Sequence, residues 1–155
     1  MAKVIVVYDS LFGNTKQVGE TIVEGMKEIT SVDALVTKTK GVDLKKLGDY
    51  DLILIGSPNH VGGSTLGIRN FIGKLGKLNL KGKWVAFFDT YAGTAREQAV
   101  RKMEKWLSEK APALKIVAAG LSVKVEGMRG PIFDGELPKC REFGASIAKQ
   151  LKIRA

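Results

Sequence analysis

By type and spacing, the residues best placed for chemistry are Ser10, Asn14 and Thr15, in the stretch Ser10-Leu11-Phe12-Gly13-Asn14-Thr15. It follows directly on the apolar run Val4-Ile5-Val6-Val7-Tyr8 and leads directly into a segment of helical spacing. A strand, a tight polar turn and a helix start are thus compressed into one short junction. Such a junction leaves the first backbone N–H groups of the helix without carbonyl partners and turns the positive end of the helix dipole toward the loop, which suits a phosphate even without Lys or Arg. The hydroxyls of Ser10 and Thr15 and the amide of Asn14 would add donors. The same residue types are also common helix N-caps, so the stretch by itself supports two readings, a phosphate site or Asn14 or Thr15 capping a helix.

Other reactive residue types are scarce. The single cysteine, Cys140, excludes a disulfide within the chain and any cysteine-based zinc or iron–sulfur site. Its spacing from Phe143, Ile147 and Leu151 puts it on an apolar helix face, as a small buried residue. His60 is the only histidine, and no second ligand stands near it, so no metal site is expected. No Ser/His/Asp arrangement and no convincing pair of carboxylates is present, and no residue is assigned as catalytic.

With 155 residues, 45% hydrophobic and 26% charged, the chain is expected to form a single domain over 1–155. A domain of this size buries about 68–70% of the surface its unfolded chain exposes, so a real core is available. No apolar run approaches the roughly 18–20 residues that cross a bilayer, and the N-terminus enters a strand pattern without a charged n-region, an apolar h-region and a cleavage site. A cytoplasmic protein without membrane association is expected. The net charge of +9 invites a nucleic-acid or membrane reading. Lys and Arg are nevertheless spread through most segments, with loose concentrations at Arg96-Arg101-Lys102-Lys105 and Lys74-Lys77-Lys81-Lys83, and no aromatic residues interleave a basic run as a stacking platform requires. No nucleic-acid partner is expected; an acidic protein partner is the better use of the charge.

The elements that must position the junction follow from periodicity. Residues 3–8 and 52–56 read as strands buried on both faces, 84–88 as a fourth strand after a weaker one at 31–37, and 114–119 as a fifth, extensible to Val125. Between them, Val18, Ile22, Met26 and Ile29 mark a helix over 14–28, and Ile68, Phe71, Ile72 and Leu75 mark another. Thr94-Ala95-Arg96-Glu97 fits a capping box opening a helix that buries Val100, Met103, Trp106 and Leu107. A last helix runs from Glu136 to the end, with Pro138 tolerated in its first turn. Alternation of this kind predicts an α/β fold, a five-stranded parallel sheet with helices on both faces. Ligands of such sheets bind beyond the carboxyl ends of the strands, which brings the loops 10–15, 57–63 and 89–93 to one edge.

The segment Val6-Val7-Tyr8-Asp9-Ser10-Leu11-Phe12-Gly13-Asn14-Thr15 resembles the flavodoxin phosphate-binding signature, in which an aromatic residue at the strand end leads to Ser/Thr, then Gly, then a Thr opening the helix. The likeness covers nearly the whole chain, including Asp49-Tyr50-Asp51 before the third strand, Gly56-Ser57-Pro58 ending it, and Phe143-Gly144 in the last helix. It is similar to the short-chain flavodoxins and to the flavodoxin-like domain of diiron flavoproteins. Two positions depart from the family pattern: Gly19 replaces the usual Ala, and Phe12 replaces a frequent hydroxyl residue, removing one phosphate contact while the backbone donors remain. The net positive charge departs too, since typical flavodoxins are acidic.

The resemblance implies a three-layer flavodoxin-like fold with strand order 2-1-3-4-5, a bound FMN, and electron transfer between redox partner proteins. Ser10, Asn14 and Thr15 would donate to the phosphate by side chain, and Leu11, Phe12 and Gly13 by backbone. Ser57 and Pro58 would belong to the cofactor site, and Asn59, His60, Val61 and Gly62 would line one side of the isoalloxazine, with Gly62 and Gly63 able to flip a peptide toward flavin N5. Asp89, Thr90, Tyr91, Ala92 and Gly93 would line the other, Tyr91 being the stacking candidate. The alternatives are an NAD(P)H-dependent FMN or quinone reductase on the same fold, and a flavodoxin-fold interaction module without a cofactor. For His60 the choice lies between a solvated loop residue and an imidazole whose charge favours the reduced flavin at low pH.

Overall fold

The computed structural model describes residues 1–59, 63–127 and 129–154. A run of apolar residues with no polar alternation has to be covered on both faces, and β1 (Ala2–Tyr8) meets that demand in the middle of a sheet. β2 (Val32–Lys38) pairs with one of its edges and β3 (Leu52–Pro58) with the other, both parallel. β4 (Trp84–Tyr91) follows β3, and with β5 (Lys115–Ile116) at the edge the order is β2-β1-β3-β4-β5. The helices are α1 (Asn14–Lys27), α2 (Leu66–Leu75), α3 (Gln98–Lys110) and α4 (Glu136–Arg154). Two short 3-10 turns, Thr39–Gly41 and Leu44–Asp49, fill the connection from β2 to β3.

Successive side chains on a strand point to opposite faces, and the sheet divides its apolar residues accordingly. Ile5, Val7, Ile53, Ile55, Val85 and Phe87 face α2 and α3, where Ile68, Ile72, Val100, Met103 and Leu107 complete one core. Val4, Val6, Leu52, Leu54, Ala86 and Phe88 face α1 and α4, meeting Val18, Ile22, Met26, Cys140 and Ile147 in the other. Cys140 is fully buried as expected, and burial pushes its thiol up to about 12. Gly19 has a packing reason: a Cβ there would lie 2.9 Å from Val6 Cγ1 and 3.3 Å from the buried Phe88 ring.

Two sequence expectations need correction. The fifth strand is interrupted: β5 (Lys115–Ile116) pairs with Trp84 and Val85, and β6 (Leu121–Lys124) pairs with Phe88 to Tyr91. Residues 117–120 thus stand against only Ala86 and Phe87, and the extra chain bulges over α3 at Gly120, where a Cβ would come within 2.2 Å of Val100 Cγ1. The capping box at Thr94–Glu97 does not form. Glu97, at φ +64, precedes α3 without a side-chain cap, and its carboxylate turns to Arg101 at 3.1 Å instead. Distant residues cap the helix: Asn59 Oδ1 accepts from Ala99 N–H at 2.8 Å, and Asp89 Oδ2 from Val100 N–H at 3.1 Å. A local motif has lost to a tertiary one.

α4 starts on Glu136, whose carboxylate accepts from Lys124 N–H at 2.8 Å and pairs with Lys139 at 2.8 Å. Burial by itself would raise this carboxyl, but the Lys139 and Lys124 hydrogen bonds and the charges of Lys139 and Arg96 outweigh it and hold it below its ordinary value. A depressed carboxyl stabilises the fold above its unfolded pKa, and that contribution disappears as pH falls through the folded one. Glu136→Gln is therefore expected to cost about 1 kcal/mol at pH 7. Urea unfolding should show that difference shrinking toward zero at a pH where both forms are uncharged.

Candidate functional site

At the carboxyl edge of β1 the chain turns through residues 10–13. Ser10 Oγ accepts from Gly13 N–H at 2.8 Å, closing the turn. Gly13, at φ +88, occupies the N-cap of α1, and among the described residues no side chain caps the helix. Neither Asn14 nor Thr15 is the cap, which decides between the two readings of this stretch as far as capping goes. The first helical bond is from Gln17 N–H to the Gly13 carbonyl at 3.0 Å, so the N–H groups of Asn14, Thr15 and Lys16 precede the helical ladder. The first turn carries no acidic residue. Positive potential therefore collects at this corner, with no first-turn carboxylate to offset it.

β3 and β4 run farther than their apolar cores suggested, so Ser57, Pro58, Asp89, Thr90 and Tyr91 belong to strands and not to loops. Alternation then sorts them. Thr90 turns toward α1, its hydroxyl 3.2 Å from that of Thr15 in a buried pair. Asp89 turns the other way and is fully buried. Its carboxylate accepts from Ser122 Oγ as well as from Val100 N–H. Burial pushes its pKa up, and the bonds from Ser122, Val100 and Asn59 pull in the opposite direction. Ser57, also fully buried, donates to the Pro58 carbonyl at 2.8 Å and accepts from Thr65 N–H at 3.0 Å. Asn59 is locked by two donations to the Thr90 carbonyl, 2.9 Å from its N–H and 3.1 Å from Nδ2.

These elements enclose a cleft of about 350 Å³ lined by Ser10, Leu11, Phe12, Asn14, Thr15, Pro58, Asn59, Thr90, Tyr91 and Ala92. Most of the expected residues are thus brought together at one sheet edge. Gly13, Ser57, Asp89 and Gly93 are not among the lining residues, and the side chains of Ser57 and Asp89 hold α2 and α3 instead. His60, Val61 and Gly62 lie outside the described residues.

Sequence reasoning missed five contributors. Ala95 and Val125 complete the cleft. Arg129 places its guanidinium 5.4 Å from the Phe12 ring centroid, and Gly130 lies so close to Asn14 that a Cβ would meet its Oδ1 at 2.5 Å. The segment returns because Val125 bridges to Ile132 and Glu126 N–H donates to the Pro131 carbonyl at 2.9 Å. Asp9 is the other omission. It accepts from Thr39 Oγ1 at 2.8 Å and from Thr65 Oγ1 at 2.6 Å, tying the end of β2 and the start of α2 to the loop. Thr65 in turn caps α2 by accepting from Ile68 N–H. An acid beside a strand end that bonds two threonines far apart in sequence leaves no local signal.

Among the described residues, no group of three His, Cys, Asp or Glu side chains could hold a metal ion, and no helix is long and apolar enough to cross a membrane.

Comparison with known proteins follows the same lines. A family model described as a flavodoxin domain matches residues 5–124. A flavodoxin of Clostridium saccharobutylicum is 28% identical over 88 residues, which span 57% of this chain and 55% of that protein, about half the relative's length. Among solved structures, a flavodoxin from the domain Archaea superposes with a TM-score of 0.81 at 28% identity, covering 97% of this chain and 99% of that one. The flavodiiron protein from Giardia intestinalis gives 0.79 at 18% identity, with 97% of this chain and 36% of that chain covered, a likeness of fold alone.

Proposed function

The chain belongs to the flavodoxin domain family, and from that premise we propose that it binds FMN and carries electrons between redox partner proteins in the cytoplasm. The observation that carries the reading is the uncapped start of α1 opening into the same cleft as Tyr91 and the Thr15–Thr90 hydroxyl pair. The residues present fit a phosphorylated planar cofactor. Ser10, Asn14 and Thr15 line the phosphate end, Gly13 leaves open space where a Cβ would stand, and no first-turn acid opposes a dianion.

FMN, when bound, supplies the one- and two-electron chemistry. The chain's own part is to hold it and to set its surroundings. The first-turn N–H groups and the hydroxyls bind the phosphate, and the walls formed by Pro58, Asn59, Tyr91 and Ala92 exclude water from the ring. Asn59 is kept rigid by its bonds to Thr90 and Ala99, and Asp89 fixes the start of α3 behind it. Ser57 and Asp89 act as supports of the two walls, not as contacts to the ring.

A reductase on this fold would also need a seat for a nicotinamide over the flavin. The FMN-loaded protein is expected to oxidise NADPH with a soluble quinone no faster than free FMN does under the same conditions. After reduction by dithionite it should be reoxidised promptly by an electron-accepting haem protein. NADPH turnover far above free FMN would replace the carrier reading with the reductase one, and protein that stays colourless with FMN would leave a cofactor-less interaction module.

A further inference from the structure

A second groove, of about 320 Å³, opens beside the cleft between the end of β2 and the residue 10–13 turn. Lys38, Lys40, Leu11, Pro58 and Thr65 line it, with Asp9 and Ser10. It shares Ser10, Leu11 and Pro58 with the cleft, so a group seated there is separated from the cofactor site by that shared wall alone. Both oxygens of Asp9 are engaged by the Thr39 and Thr65 hydroxyls. Among the described residues no ion pair occupies Lys38 or Lys40. Arg129 adds a third positive group beside the Phe12 ring.

Basic residues are dispersed over this molecule, so charge alone selects no face. What singles out this rim is apolar exposure. Leu11 is 69% exposed, Phe12 45% and Leu66, next to Thr65, 70%. Large apolar side chains left in water beside unpaired ammonium groups form the mixed surface of a transient interface, an apolar anchor inside a charged border. We infer that this groove is the docking point for an acidic redox protein, which seats an apolar side chain against Leu11 and Pro58 and carboxylates against Lys38 and Lys40. The inference rests on the carrier reading above. Complementary charge of this kind acts mainly on the encounter rate, and hence on salt dependence.

The test uses FMN-loaded protein, its loading confirmed by absorbance, reduced with dithionite and mixed with ferric cytochrome b5 as the acidic acceptor. One electron passes from the dithionite-reduced FMN to the ferric haem, so the flavin is oxidised by one electron and the haem becomes ferrous. The second-order rate should fall as salt rises, and K38E/K40E should lower it about tenfold at low salt, within the range that electrostatic steering covers. The rate with a small neutral quinone should be unchanged. The pair Lys77 and Lys81 lies at the opposite edge of the sheet, after α2, so K77E/K81E makes the same change in net charge and should lower the cytochrome b5 rate less than twofold. An equal loss in both double variants, or no loss in either, overturns the proposal. A dimer of the wild type that K38E/K40E abolishes would assign the groove to a second copy and overturn it likewise. Failure to load FMN is read separately, from the absorbance, and would count against the carrier reading itself.

Discussion

Asn14→Asp should weaken FMN binding by about two to three orders of magnitude while leaving the protein without cofactor equal or higher in stability. The exchange is nearly isosteric. It places a carboxylate in the first turn of α1, lining the cleft where the phosphate is proposed to sit. A phosphate monoester carries close to two negative charges at neutral pH. Two unit charges about 4 Å apart near a protein surface repel by about 4 kcal/mol at an effective dielectric of 20, and relaxation takes back part of that. In the protein alone the same carboxylate meets an uncapped helix start with no other acid, an arrangement worth about 0.3–1 kcal/mol in favour of folding. The two effects have opposite signs, which is the discriminating feature. Titration of each variant with FMN by fluorescence quenching, alongside thermal unfolding without FMN, reads both. If affinity and stability fall together, Asn14 matters only through its contact with Gly130.

The largest loss of stability is expected from Gly144→Ala. α1 and α4 cross so closely that a Cβ on Gly144 would stand 1.9 Å from the Ile22 carbonyl oxygen, and one on Gly25 would stand 2.1 Å from that of Arg141. Both obstacles are backbone, so no side-chain rotation relieves them and the helices have to separate. Overpacking of a core typically costs about 1–3 kcal/mol, and the upper end applies where the whole crossing must shift. At this chain length about 3 kcal/mol corresponds to a fall in Tm on the order of 10 °C. Gly48→Ala serves as the comparison, because nothing lies within 4 Å of a Cβ there and its φ is not left-handed. Similar melting points for the two variants would mean that the helix crossing yields freely.

The fold was largely legible because its signals are periodic. β1 and β3 are apolar at every position through their cores, and α1 repeats Val18, Ile22 and Met26 on one face. Element ends were less legible, since they depend on partners elsewhere in the chain. β4 continues through Asp89, Thr90 and Tyr91 because β6 pairs with them, although Asp is a poor strand former. The Thr94–Glu97 motif was sound as local chemistry, yet the Glu97 N–H that Thr94 would have capped donates to Ser122 Oγ, and Asn59 and Asp89 cap α3 farther along. The same holds for the site. Residues next to the strand ends were readable from the sequence, whereas the sorting of Ser57 and Asp89 away from the cleft followed from strand extension. Arg129 arrives from a distant segment, through the Val125–Ile132 bridge.

The corner of α1 as a phosphate cradle is the centre of the account, and paired titrations with FMN and riboflavin test it most directly. The two ligands share the ring system and differ by the phosphate. The protein freed of flavin is expected to bind FMN with a shifted visible spectrum and to bind riboflavin at least about 100-fold more weakly, a loss of roughly 3 kcal/mol for charge-assisted bonds to backbone and hydroxyl donors. Equal affinities for the two flavins, or no spectral change with either, would contradict it.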